Sequence, residues 1–201
     1  MSARSLVLAF GLAVAPLSAG EAPATPGAAG LTAPDRTRLT EKPVPVLDFA
    51  LTDQDGKAFE GRTLIGRTTL VFFGFTNCPN VCSPTMQKIR QVQREIGVEE
   101  TKLTAVFISV DGDRDTPPVI KQYLAPFEPG FIGLTGDAKY VRDLAARFSA
   151  VFFKGLPTDS SGGYNVEHTS QTYLVDKEGI LRVTFYNAPA EDMVTVTKSL
   201  L

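Results

Sequence analysis

Two continuous apolar stretches dominate the hydrophobic pattern of the chain. Residues 70–75, LVFFGF, are β-branched and aromatic, with polar positions before them and Asn77-Cys78-Pro79 after, which predicts a strand buried on both faces. Residues 103–110, LTAVFISV, repeat the pattern and predict a second core strand. Between the two the period changes: Met86, Ile89, Val92, Gln93 and Ile96 recur at helical spacing, Ser83-Pro84 supplies a start signal and Gly97 a stop. Thr116-Pro117 opens another helix carrying Val119, Ile120, Tyr123, Leu124 and Phe127, and Asp137 caps a third with Tyr140, Val141, Leu144, Ala145 and Phe148. Phe131 to Leu134 is too short for its period to decide between strand and helix, and Val151 to Phe153 reads as a short extended piece.

Turn signals between strand-like segments mark the two ends of this region. Val46 to Leu51 and the segment from Lys57 flank the turn formers Asp53 to Gly56, so the domain opens with a short hairpin or strand. His168 to Val175 and Ile180 to Tyr186 flank Asp176 to Gly179 as a second hairpin, and Ala190 to Leu201 closes the chain as a helix with Met193, Val194, Val196 and Leu200 on one face. Residues 155–165, GLPTDSSGGYN, are rich in turn formers and read as an exposed, mobile loop. The order implies an α/β sheet flanked by helices with an antiparallel pair at its end. Ligand chemistry in such sheets lies beyond the carboxyl ends of the parallel strands, where Cys78 and Asp111 should meet.

The N-terminal residues follow a different pattern. Met1 to Ser5 contains one arginine, Leu6 to Ala19 is apolar or small apart from Pro16 and Ser18, and small residues follow, which together read as a signal peptide over residues 1–20. At about 14 residues the run is short for a spanning anchor, which needs roughly 20. Residues 21–41 form an alanine-, proline- and glycine-rich tether and residues 42–201 the globular domain, exported to the periplasm or held near the inner membrane by an uncleaved N-terminus. A formal net charge of −2, with 21% charged residues, gives no electrostatic footprint for nucleic acid.

The chain has two cysteines, Cys78 and Cys82, and one histidine, His168. The cysteines fall between a strand exit and a helix start, where the helix dipole and free amide donors favour thiolate; a spacing of four in a helical turn puts both sulfurs on one face. A disulfide closing a five-residue loop would constrain the unfolded chain by only about 2 kcal/mol, so metal binding or thiol redox chemistry is the stronger reading. His168, at the border of the glycine-rich loop, completes a sulfur, sulfur, nitrogen set that suits copper. Structural zinc would need a fourth ligand, from Asp111 or Asp115. Asp111, Asp113 and Asp115 start like a calcium loop, but Thr116-Pro117-Pro118 breaks it; Asp111 and Asp115 are left as supporting or docking residues beside the cysteines.

Three segments together, FTNCPNVC at 75–82, SVDGDRDTP at 109–117 and VEHTSQTYLVDKEG at 166–179, resemble the signature segments of the Sco/SenC family, and the resemblance runs from about Pro45 to the C-terminus. It implies a thioredoxin-like fold and a copper chaperone for the binuclear copper centre of cytochrome c oxidase. It also implies copper ligation by Cys78, Cys82 and His168 and a D-x-x-x-D element at Asp111 and Asp115; with that ligand set, oxidation to a Cys78–Cys82 disulfide is expected to abolish binding. The expected partners are the copper-accepting oxidase subunit and other periplasmic copper carriers or thiol reductases. The alternative is an exported thiol-disulfide oxidoreductase acting without metal; its usual C-x-x-C spacing is one residue shorter, and it leaves His168 unused. A peroxidase of the same fold ranks last, because Thr76-Asn77-Cys78 is one residue short of the T-x-x-C element of that class.

Overall fold

The computed structural model describes residues 36–96, 103–127, 130–157 and 163–201. The expected signal peptide, most of the expected tether and the stop at Gly97 lie outside these residues. No helix among the described residues is long and apolar enough to cross a membrane.

In chain order the elements are β1 (Thr37–Pro45), β2 (Ala50–Asp53), β3 (Ala58–Glu60), β4 (Thr68–Gly74), α1 (Cys82–Ile96), β5 (Leu103–Ser109), α2 (Pro117–Leu124), β6 (Phe131–Thr135), α3 (Ala138–Arg147), β7 (Phe152–Pro157), β8 (Tyr164–His168), β9 (Thr172–Val175), β10 (Ile180–Phe185) and α4 (Ala190–Lys198). Eight strands form one mixed sheet in the order β1-β10-β9-β4-β5-β6-β2-β3, while β7 and β8 pair separately. At its centre β4, β5 and β6 run parallel, so their carboxyl ends open on one edge. β9 joins β4 antiparallel and leads into the β9–β10 hairpin.

Every residue of β4 is buried, as its unbroken apolar run requires. The two faces are filled by different partners. Phe73 stacks edge-on with Phe148 and Tyr173, whereas Phe72 meets Phe107 and His168 on the opposite face. α1 turns Cys82, Met86, Ile89, Val92 and Gln93 into the core and packs against α4 and β5; α2 packs against β6. Asp137 caps α3 by accepting a hydrogen bond from the Tyr140 amide at 3.0 Å.

Several expectations change. Strand β1 begins at Thr37, so Thr37, Arg38 and Leu39 of the expected tether pair instead with β10, whose free edge would otherwise expose its amides. Helix α1 begins at Cys82, one residue before the hydroxyl expected to cap it. Phe131 to Leu134 is a strand, because it lies between β5 and β2 and bonds to both. The ends of the expected loop 155–165 belong to β7 and β8, whose pairing overrides the local turn composition; residues 158–162 lie outside the described residues. His168 therefore ends β8, paired with Phe152, and does not start the β9 strand.

Candidate metal centre

The site lies where β4 and β5 end. The Val110 amide donates to the Gly74 carbonyl at 2.8 Å, tying the two exits together, and the chain then turns through residues 75–81 into α1. Backbone amides of Asn80, Val81 and Cys82, in the turn that leads into α1, hydrogen-bond to the Cys78 sulfur. Cys78 is half-buried and Cys82 buried, and both are free thiols. Burial pushes the Cys78 thiol up, but hydrogen bonds from the Cys82 thiol and those amides outweigh it, so its pKa lies below the ordinary value. Burial drives Cys82 the other way, reinforced by the charges of Cys78 and Asp115. The two thiols are thus displaced in opposite directions, with Cys78 the more acidic of the pair.

Gly74 makes room for this pair. A Cβ at Gly74 would stand 3.0 Å from Cys82 Sγ, 3.0 Å from Phe107 and 2.8 Å from Phe72. Any side chain at this position would press on the Phe72 ring and crowd the sulfur.

His168 reaches the sulfurs from the β7–β8 hairpin. Its ring stands edge-on to Phe72 and Phe75, with centroids 6.2 and 5.6 Å away, so aromatic walls hold the imidazole plane. Nδ1 lies 3.0 Å from the Thr169 carbonyl oxygen, which can only accept; the proton therefore sits on Nδ1 and the Nε2 lone pair is free. Nε2 stands 3.6 Å from Cys82 Sγ. Burial lowers the His168 pKa, partly offset by the carbonyls of Thr169 and Phe73, and keeps the ring in its neutral, metal-binding form.

Cys78 Sγ, Cys82 Sγ and a His168 ring nitrogen all lie within 4.8 Å of one another, so one ion with metal–sulfur bonds of about 2.3 Å can engage all three after small side-chain movements. The donor set, two thiolates and one imidazole, matches copper. Among the described residues no carboxylate joins it. Asp115, fully buried, accepts from the Thr76 amide at 2.9 Å, the Thr76 hydroxyl at 2.6 Å and the Ser109 hydroxyl at 2.6 Å. Asp111 accepts from the Tyr164 hydroxyl at 2.6 Å and from the Arg114 guanidinium, and Asp113 pairs with Lys154. With their oxygens engaged, these three carboxylates neither complete a structural zinc site nor converge on a calcium ion.

Sequence reasoning brought Cys78, Cys82, His168, Asp111 and Asp115 to this edge but missed Gly74, Thr76, Ser109, Arg114 and Tyr164. A glycine interrupting an apolar strand two residues before a cysteine turn was a readable signal for Gly74. The others act across elements, and local spacing carries no trace of them.

Residues 38–201 match the family model described as SCO1/SenC. A SCO2-like protein of Rickettsia conorii is 36% identical over 148 residues, 73% of this chain and 72% of its own length. The copper-bound structure of Bradyrhizobium japonicum ScoI superposes with a TM-score of 0.68 at 36% identity, covering 80% of this chain and 98% of ScoI. BsSco, in which a disulfide switch was identified and which is described as a member of the Sco family of cytochrome c oxidase assembly proteins, superposes at 0.62 with 26% identity, covering 79% and 94%. A family match across the whole folded domain, on top of two sulfurs and an imidazole gathered at one sheet edge, places the chain in the SCO1/SenC family.

Proposed function

We propose that the protein is a copper metallochaperone that delivers copper to, or prepares the thiols of, the binuclear copper centre of cytochrome c oxidase. Its copper is cargo, held by Cys78, Cys82 and His168. The observation that carries this reading is the convergence of two free thiols and one Nε2, already stripped of its proton by the Thr169 contact, at a single accessible edge. The copper-bound ScoI relative and the description of BsSco as an oxidase assembly protein support it.

Transfer proceeds by ligand exchange. An acceptor thiolate adds to copper as one of the three donors leaves, so no net redox change is needed, and half-buried Cys78 is the sulfur an acceptor reaches first. Oxidation of Cys78 and Cys82 to a disulfide removes two electrons and two donors together, and so empties the site. The protein works outside the cytoplasm, in the periplasm beside the membrane that holds the oxidase, as the N-terminal apolar run suggests.

A second reading draws on the opposed shifts of the two thiols: a low-pKa, partly exposed sulfur beside a buried one is also the arrangement of a dithiol reductant. Anaerobic copper titration of the wild-type protein and of His168→Ala separates the two. The chaperone reading expects tight binding in the wild type and a weakened cupric complex in the variant; unchanged affinity, together with rapid disulfide-reductase turnover of the copper-free dithiol, would establish the reductant instead.

A further inference from the structure

His168 is carried by a two-stranded ribbon outside the main sheet. Such a ribbon is marginally stable by itself, and its register decides which face of β8 turns inward. Along β8, Val166 is buried, Glu167 is exposed, and Tyr164 and His168 share the inward parity with Val166. A slip of one residue would send the imidazole outward and Glu167 towards the sulfurs.

What holds the start of β8 is a polar cluster. The Arg114 guanidinium carbon lies 3.9 Å from the Tyr164 ring centroid, and Nη1 donates to the Tyr164 carbonyl at 2.9 Å. Arg114 Nε and the Tyr164 hydroxyl both donate to Asp111, whose side chain is fully buried. Lys154 of β7 lies 4.6 Å from the same ring and pairs with Asp113, so both strands are tied to the loop that follows β5. Arg114 also lies 5.9 Å from the Phe75 ring, which forms one wall of the imidazole pocket.

We propose that Arg114 and Tyr164 are positioning residues for the metal site: by clamping the first residue of β8 to the loop after β5, they set the register that presents His168 Nε2 to the two sulfurs. Neither touches the metal. The guanidinium is suited to the task because it stacks on the phenol and offers several fixed donors at once, which a lysine cannot do. The inference rests on the ligand set proposed above.

The test compares Tyr164→Phe, Tyr164→Leu and Arg114→Lys with the wild type, with His168→Ala in parallel. Cuprous and cupric affinities are measured by anaerobic competition, and backbone amide exchange of residues 166–168 is followed in the copper-free protein. Thiolates are the softer donors and favour cuprous ion, so loss of the imidazole should weigh more on cupric ion. In Tyr164→Leu and Arg114→Lys, cupric affinity should fall on the order of tenfold or more while cuprous affinity changes much less, and exchange in β8 should accelerate. Tyr164→Phe keeps the ring under the guanidinium and should lose less than Tyr164→Leu.

A purely structural role would lower thermal stability without altering the ratio of the two affinities. Equal losses for both ions, or an unaltered ratio with unaltered exchange, would overturn the clamp while leaving the ligand set intact. An unchanged cupric affinity in His168→Ala would instead remove the ligand set, and the clamp with it.

Discussion

The carboxylate of Asp115 anchors the cysteine turn, and Asp115→Ala should reveal how strongly. Three donors meet it: the amide and hydroxyl of Thr76, two residues before Cys78, and the hydroxyl of Ser109 at the end of β5. The Ser109 hydroxyl in turn accepts from the Asp111 amide at 3.0 Å, so one carboxylate organises both strand exits. Hydrogen bonds to a charged acceptor contribute about 1.5–3 kcal/mol each, and a stranded buried donor costs about 1–3 kcal/mol. The hydroxyls can rotate to other acceptors but the Thr76 amide cannot, so the summed effect is about 3–5 kcal/mol, a large share of the roughly 5–15 kcal/mol that stabilises a domain. At a urea slope of about 2–3 kcal/mol per molar, the midpoint of the copper-free protein should fall by about 1–2 M without a change of slope. Asp115→Asn is the informative companion: an amide nitrogen facing the Thr76 hydroxyl can donate to it, while the remaining oxygen still accepts from the Thr76 amide and Ser109. The asparagine variant should therefore recover most of the loss, with only about 1 kcal/mol missing for the absent charge. A midpoint shift under about 0.3 M for Asp115→Ala, or an asparagine variant no better than alanine, would refute the reasoning.

Gly74→Ala places a methyl against Cys82 Sγ, Phe72 and Phe107 and should destabilise the protein by about 1–3 kcal/mol; because one of the three neighbours is a candidate ligand, copper affinity should also fall, and a variant with unchanged affinity would show that the sulfur has room to move. Alkylation under limiting iodoacetamide, read by peptide mass spectrometry, should label Cys78 well before Cys82, since the thiolate is the nucleophile and the two pKa values are displaced in opposite directions; preferential labelling of Cys82 would reverse the assignment. Burial holds the His168 pKa below its ordinary value near 6.5, so as pH falls past that value the unfolded chain takes up the proton before the folded one does. The stability of the copper-free protein should decline from there down to the folded pKa, and His168→Gln, compared by denaturation midpoints at several pH values, should lack that component; a steeper decline in the variant would contradict it.

The parts of the fold legible from the residue pattern are those in which one segment decides its own environment. Residues 70–75 and 103–110 are apolar at every position because both faces are covered, and such strands announce themselves. The stripe from Met86 to Gln93 and the Asp137 cap are equally local. The ends of 155–165 misread for the converse reason: turn formers such as Gly155 and Pro157 in β7 and Asn165 in β8 are tolerated because a buried aspartate and a stacked arginine from elsewhere hold the ribbon down. Likewise Thr37 to Glu41 carries little apolar signal, and joins the sheet because β10 offers an unpaired edge. The three candidate ligands were readable as the scarce soft donors of the chain, but Thr169, whose carbonyl sets the imidazole tautomer, was not, since any residue supplies a carbonyl.

The two aspartates four residues apart thus serve different halves of one site. Asp115 reaches back to Thr76 and fixes the turn that carries both sulfurs; Asp111 reaches outward through Arg114 and Tyr164 to the ribbon that carries the imidazole. A single turn of backbone joins them, with the amides of Arg114 and Asp115 both donating to the Asp111 carbonyl at 3.0 and 2.9 Å. The thiol pair and the histidine lie 86 residues apart in sequence, measured from Cys82, yet both are referenced to this rigid loop at the end of β5. The geometry separates two demands on a metal carrier. In the chaperone proposed above, the sulfurs, anchored to the sheet, would supply the hold on cuprous ion, while the imidazole is borne on a ribbon whose attachment is polar. On that proposal, loosening the attachment would withdraw one of the three proposed ligands and open a position for an incoming thiolate, without disturbing the core that holds the two sulfurs.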